Sequence, residues 1–128
     1  MSAETFNTRT GRLIVGEDGI LRAQLLPGAV VTLQDAIDSL ASIPTRADGR
    51  KQLLLADLRQ LKSMSREARA YYASEEPAQI LAATALLVAS PLSRVIGSFF
   101  LGLNKTHMPI KLFTSEHAAI AWLKGFAQ

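Results

Sequence analysis

The chain contains no cysteine. Structural disulfides, iron–sulfur clusters and thiolate zinc sites are therefore excluded. Histidine is nearly absent too: His107 and His117 stand ten residues apart, with no His-x3-His spacing and no paired carboxylate. No metal ligand set follows from that pattern, and solvated histidines are expected. Aromatic residues make up only 6% and sit in apolar patterns rather than among basic residues. A nucleic-acid surface needs a dense basic stripe, often with exposed aromatics, so no nucleic acid is expected as a partner. Phosphate loops are missing as well. "GEDG" (16–19) and "GSFFLG" (97–102) fit neither the P-loop nor the dinucleotide pattern. No cofactor is expected. No G-x-S-x-G elbow and no His–acid pair accompany the serines, so no enzyme is expected.

Long hydrophobic runs are also lacking. Ile80 to Leu103 comes nearest, but Ser90, Pro91, Ser93 and Arg94 fall in its middle. A central arginine costs roughly 2.5–3.5 kcal/mol on insertion. The stretch reads as a buried strand followed by a helix, and no membrane span is expected. "MSAETFNTRTGR" has no apolar core of the secretory-signal kind, so a cytoplasmic location is expected. Acidic residues disappear between Glu76 and Glu116. Residues 1–76 balance ten Lys/Arg against ten Asp/Glu, whereas residues 77–128 set Arg94, Lys105, Lys111 and Lys124 against Glu116 alone. The whole net charge of +3 thus lies in the C-terminal part, where it favours an anion.

What is present is one domain's worth of chain: 128 residues, 48% hydrophobic and 20% charged, enough to bury a core without staples. Two short aliphatic runs, Arg12 to Val15 and Ile20 to Leu25, flank a turn at "GEDG" and predict a hairpin. "VTLQDAIDSLASIP" predicts a helix capped by Thr32, with Leu33, Ala36, Ile37, Leu40 and Ile43 on one stripe and Pro44 ending it. "KQLLLADL" suits a strand covered on both faces, ending at Asp57. Ser65 caps a helix that runs through "REARAYYASEE" to Pro77. "ATALLVA" is a further buried strand. Ser90 and Pro91 then open a helix with Leu92, Val95, Ile96, Phe99 and Leu103 on one stripe. "PIKLF" is a short strand, and "TSEHAAIAWLKGF" a last helix capped by Thr114 or Ser115.

The order is β-β-α-β-α-β-α-β-α. It predicts an α/β fold: a mixed, mostly parallel sheet of about five strands with about four helices. Residues 1–11 form a tail or strand extension, and 12–128 the single domain.

This order resembles the STAS domain, the fold of bacterial anti-sigma-factor antagonists, the SpoIIAA-like proteins. "LLLADLRQLKSMSREAR" is similar to that family's strand, connector and helix, where an "LDLS-x-V-x-F-M-D-S-S-G" pattern is typical. "LFTSEHAAIAWL" is similar to its last strand and helix. Aligning Asp57-Leu58 with the family's "DL" puts Ser65 at its Asp and Arg66 and Glu67 at its two serines. Neither accepts a phosphate, so the family's phosphorylation switch does not carry over. The resemblance implies a non-catalytic regulatory or protein-interaction module.

Two readings of function stay open. In the first, the module meets a protein partner or pairs with itself as a homodimer. Tyr72 and Phe100 would lie at the interface, since only one of the adjacent Tyr71 and Tyr72 can be buried on a single stripe. In the second, a small anionic or lipid ligand (a lipid, nucleotide or other anion) sits at strand C-terminal ends and helix N-termini. Asp57, Ser65, Ser90, Arg94 and Lys105 are its candidate binding residues. The capping roles of Ser65 and Ser90, about 1 kcal/mol each, are the structural reading beside that one.

Overall fold

The computed structural model describes residues 4–44, 46, 48–89, 91, 93–95 and 107–127. The chain opens with an antiparallel meander of β1 (Glu4–Asn7), β2 (Gly11–Val15) and β3 (Ile20–Leu25). The β2–β3 turn is held by its own polar residues. Gly19 takes φ 82°, a left-handed value that favours glycine. Asp18 accepts from the Ile20 N–H at 3.1 Å and pairs with Arg22 at 2.8 Å. At the far end of this pair the strands run unusually close. A Cβ on Gly11 would lie 2.3 Å from the Gln24 carbonyl oxygen.

From β3 the sheet continues in parallel through β5 (Gln52–Asp57), β7 (Leu81–Leu87) and β8 (Ile110–Phe113). The strand order is β1-β2-β3-β5-β7-β8. β5 and β7 lie inside the sheet between β3 and β8 and carry side chains buried on both faces, as their unbroken apolar runs require. A small parallel ribbon of β4 (Val30–Val31) and β6 (Ser63–Met64) joins the loops that follow β3 and β5. The helices are α1 (Leu33–Ala41), α2 (Arg66–Tyr72), α3 (Glu75–Ala78) and α4 (Glu116–Lys124), and Pro91 with Ser93–Val95 is helical as well. This is the mixed, mostly parallel α/β sheet read from the sequence.

Four details depart from that reading. The sheet has six strands, because the polar segment Glu4–Asn7 pairs with β2 from Glu4↔Val15 to Asn7↔Arg12. α1 stops at Ala41, three residues before Pro44, and its stripe is only partly inward: Ala36 is fully buried while Leu33 and Ile37 stay exposed. The helix after Ser65 does not run on to Pro77. It ends at Tyr72, and Ser74 starts a separate turn in which Pro77, near the helix start, lacks only an N–H that would have no intrahelical partner. Val95, expected on the inward stripe, is 64% exposed. Leu92, Ile96, Phe99 and Leu103 of that stripe lie outside the described residues.

The capping readings hold at Thr32, Ser65 and Ser115, and the one at Ser90 lies outside the described residues. Thr32 and Asp35 form a reciprocal capping box at α1. Ser65 accepts from Ala68 N–H at 3.1 Å at α2, and Ser115 from Ala118 N–H at 3.2 Å at α4. Among the described residues no helix is long and apolar enough to cross a membrane.

The two sheet faces are covered differently. α4 lies on one face, where Ala119 and Leu123 meet Ile20, Leu55, Ala85 and Leu87 in a single buried cluster. Trp122 closes its edge against Phe113 and Phe126, with ring centroids 5.6 and 4.8 Å away. α1, α2 and α3 cover the opposite face, where the core divides into two clusters.

Candidate functional site

The strand-end residues are placed as the topology requires, but their polar groups are already engaged. Asp57 closes β5, half-buried. Its carboxylate accepts from Arg59 Nε at 3.0 Å, from an Arg59 terminal nitrogen at 2.8 Å and from the Arg59 backbone N–H at 3.0 Å. Burial pushes this carboxyl up, and the Arg59 hydrogen bonds outweigh it, holding the group below its ordinary range. Ser65 spends its hydroxyl on the α2 cap. Ser90, Lys105 and Phe100 lie outside the described residues.

Arg94 is exposed and borders an open cleft of about 500 Å³ together with Val88, Leu112, Phe113, Thr114, Ser115 and Ala118. The cleft faces the start of α4. Neither Asp57 nor Ser65 borders it, so among the described candidates Arg94 stands apart from those two.

Tyr72, expected at an interface, is half-buried and packs against the core, its ring 6.2 Å from that of Tyr71. Burial pushes its phenol up to about 12, while a hydrogen bond with Ser39 of α1 works in the opposite direction. α2 turns both tyrosines against the same cluster because the helix ends right after them, so neither must point to water.

An ion pair missed by the sequence reading, with Asp35 buried and Arg9 exposed, closes the same face. Asp35 is 6% exposed and accepts from Arg9 Nε at 2.8 Å, and from Thr32 through both its N–H and its hydroxyl at 2.9 Å. Arg9 also donates to the Val30 carbonyl at 2.9 Å. Arg9 first, then Thr32, hold the Asp35 carboxyl far below the usual carboxylate range against the effect of burial. The clamp ties the β1–β2 connection to the start of α1. No motif flags it, because its partners are 26 positions apart in sequence.

Two apolar features remain. Leu26, Val30, Leu33 and Ile37 are between 37% and 44% exposed, and Leu33 and Ile37 share one face of α1. A cavity of about 90 Å³ lies between the sheet and the α1–α3 layer. Its floor includes Leu13, Ala23, Ala56 and Leu86, which pair directly across four strands. Leu40 and Ile43 at the end of α1, with Tyr72 and Met108, complete it. Ala23 and Ala56 are the small residues of this floor, but alanine in a strand does not by itself signal a void, since Ala83 and Ala85 are fully buried on the other face. Among the described residues no group of three His, Asp or Glu converges as a metal site would require.

These features define an α/β domain with a mixed sheet and helices on both faces. Residues 14–127 match the family described as a domain of unknown function, DUF7793, and the chain belongs to that family. No curated protein matches it. Among solved structures it is similar to an uncharacterized protein of the DUF3478 family from Shewanella loihica PV-4, at 18% identity over 95% of this chain and 92% of that one, with a TM-score of 0.48. That protein is described as having a SpoIIAA-like fold. The chain is also similar to a protein of unknown function from Arthrobacter sp. FB24, at 35% identity over 88% of this chain and 97% of that one, with a TM-score of 0.33.

Proposed function

We propose that the chain is a non-catalytic interaction module that pairs with a second copy of itself through α1 and β4. The observation that carries this reading is the strip of Leu26, Val30, Leu33 and Ile37, four large apolar side chains left in water within one short stretch of chain. Exposed aliphatics concentrated in this way mark contact surfaces. A helix face of this kind pairs readily with its own symmetry mate. The non-catalytic part of the proposal rests on the carboxylates. Asp18, Asp35, Asp48 and Asp57 each sit in an ion pair with a nearby arginine, which leaves them poor proton acceptors. A cytoplasmic location is part of the same proposal.

Sedimentation equilibrium tests it. The expected result is twice the 13.9 kDa chain mass at tens of micromolar, returning to the single mass in a Leu33→Glu, Ile37→Glu double variant with unchanged circular dichroism. A wild-type chain that stays at the single mass throughout would overturn the self-pairing. The ligand reading at strand ends has less support, since Asp57 and Ser65 are already engaged.

A further inference from the structure

The exposed strip is built from two pieces. Leu26 and Val30 come from the connection after β3 and from β4, whereas Leu33 and Ile37 come from α1. The pieces meet at Thr32, the single residue between β4 and α1. A symmetry mate presents the same strip, so two copies fit each other only if that joint holds one geometry.

β4 does not fix the joint alone. It pairs with β6, and on that side the Ala29 carbonyl accepts from Lys62 N–H at 2.9 Å and the Val31 carbonyl from Ser65 N–H at 2.9 Å. Alternation along the strand turns the carbonyl between them, that of Val30, to the other edge. There it accepts from a terminal nitrogen of Arg9 at 2.9 Å. The same guanidinium reaches across the joint. Its Nε donates to the Asp35 carboxylate at 2.8 Å, and the terminal nitrogen meets that carboxylate as well. Asp35 stands between Leu33 and Ile37 on α1 and faces inward while they face water. The neighbour of Arg9 holds the remaining piece: the Thr10 carbonyl accepts from Leu26 N–H at 2.9 Å. The connection between β1 and β2 therefore grips every segment that carries the strip, while adding no apolar side chain to it.

The span depends on the shape of the guanidinium. Its planar fork serves a carboxylate in two places and a carbonyl at once, whereas an ammonium is a point donor on a flexible stem. The fold does not depend on it in the same way, since the apolar clusters on the sheet contain neither Arg9 nor Asp35.

We propose that Arg9 is the positioning residue of the self-pairing surface, fixing β4 against α1 so that two copies of the strip fit. The inference rests on the self-pairing reading. Without Arg9 the joint at Thr32 gains freedom that pairing must then remove. Fixing the backbone of one residue is enough to weaken association about tenfold.

Sedimentation equilibrium on the full chain, with urea denaturation of the same samples, tests this. Arg9→Gln should weaken the dimer about tenfold or more with unchanged circular dichroism. Arg9→Lys keeps the charge but loses the fork and should weaken it too; it carries the test should Arg9→Gln fail to fold. Asp35→Asn should act in the same direction, and adding it to Arg9→Gln should change little more, because both open one joint. Arg22→Gln removes an ion pair at the β2–β3 turn and should leave the dissociation constant unchanged. A merely structural Arg9 would lower the urea midpoint and leave the dissociation constant of the folded chain in place; that result in either folded Arg9 variant would overturn the positioning role alone. A wild-type chain at the single mass would overturn the self-pairing and the positioning role together.

Discussion

The two faces of the sheet are built from the same strands and reach different ends. Ala56 and Ala85 show this most simply. They lie one position apart in register, since Leu55 pairs with Ala85 and Ala56 with Leu86. Strand alternation sends them to opposite faces. Ala85 is fully buried within the cluster that α4 closes with Ala119 and Leu123. Ala56 is half-buried at the floor of the cavity beneath α1. A small residue means tight helix contact on one side and unfilled space on the other. The lesson is that residue size in a strand has no meaning until the covering element is known.

Substitutions can break that comparison. The largest effect is expected from Leu123→Ala, which empties a fully buried position on the α4 face. It should cost about 2–5 kcal/mol by urea denaturation; a loss well under 1 would mean that this face is not tightly packed. Gly11→Ala comes next. Its new Cβ meets a backbone oxygen at 2.3 Å, so β2 and β3 must part, at about 1–3 kcal/mol. Faster amide exchange across that strand pair would report the same event. The paired alanines follow. Ala85→Val should cost about 1–3 kcal/mol by overpacking, whereas Ala56→Val should lie within about 1 kcal/mol of neutral or stabilise. Equal losses at both sites would erase the distinction between the faces.

The smallest effect concerns pH. Asp35 has a folded-state pKa well below its unfolded value of about 3.9. Its contribution is therefore fully present above about pH 4 and is lost as the pH falls toward the depressed folded value. Asp35→Asn should flatten that acid limb of the stability curve and leave the slope between pH 6 and 8 unchanged. An acid limb identical to wild type would remove Arg9–Asp35 from the account.

Much of the architecture was legible in local patterns. The runs "LLLAD" and "ATALL" announced strands buried on both faces, and Thr32, Ser65 and Ser115 announced helix starts. The misses share a cause. β1 is four residues of mostly polar sequence, and β4 and β6 are two residues each; they are ordered by their partners rather than by propensity. Leu33 and Ile37 match a buried stripe in period, yet α1 sits so that only part of the stripe reaches the sheet. The candidate site was legible only residue by residue. Asp57 was correctly set at a strand end, but nothing nearby in the pattern announced that Arg59 would engage it.

By itself the sequence determined the order of the longer strands and helices, the caps at Thr32, Ser65 and Ser115 and the inner buried strands, because each depends on neighbours a few residues away, and its composition alone excluded thiolate chemistry. Only the tertiary structure decided which alanine faces a helix and which faces a void, that both tyrosines pack against the core, and that Arg9 finds Asp35. Those outcomes depend on how separate elements settle against one another, and that packing geometry is not encoded at any short spacing along the chain.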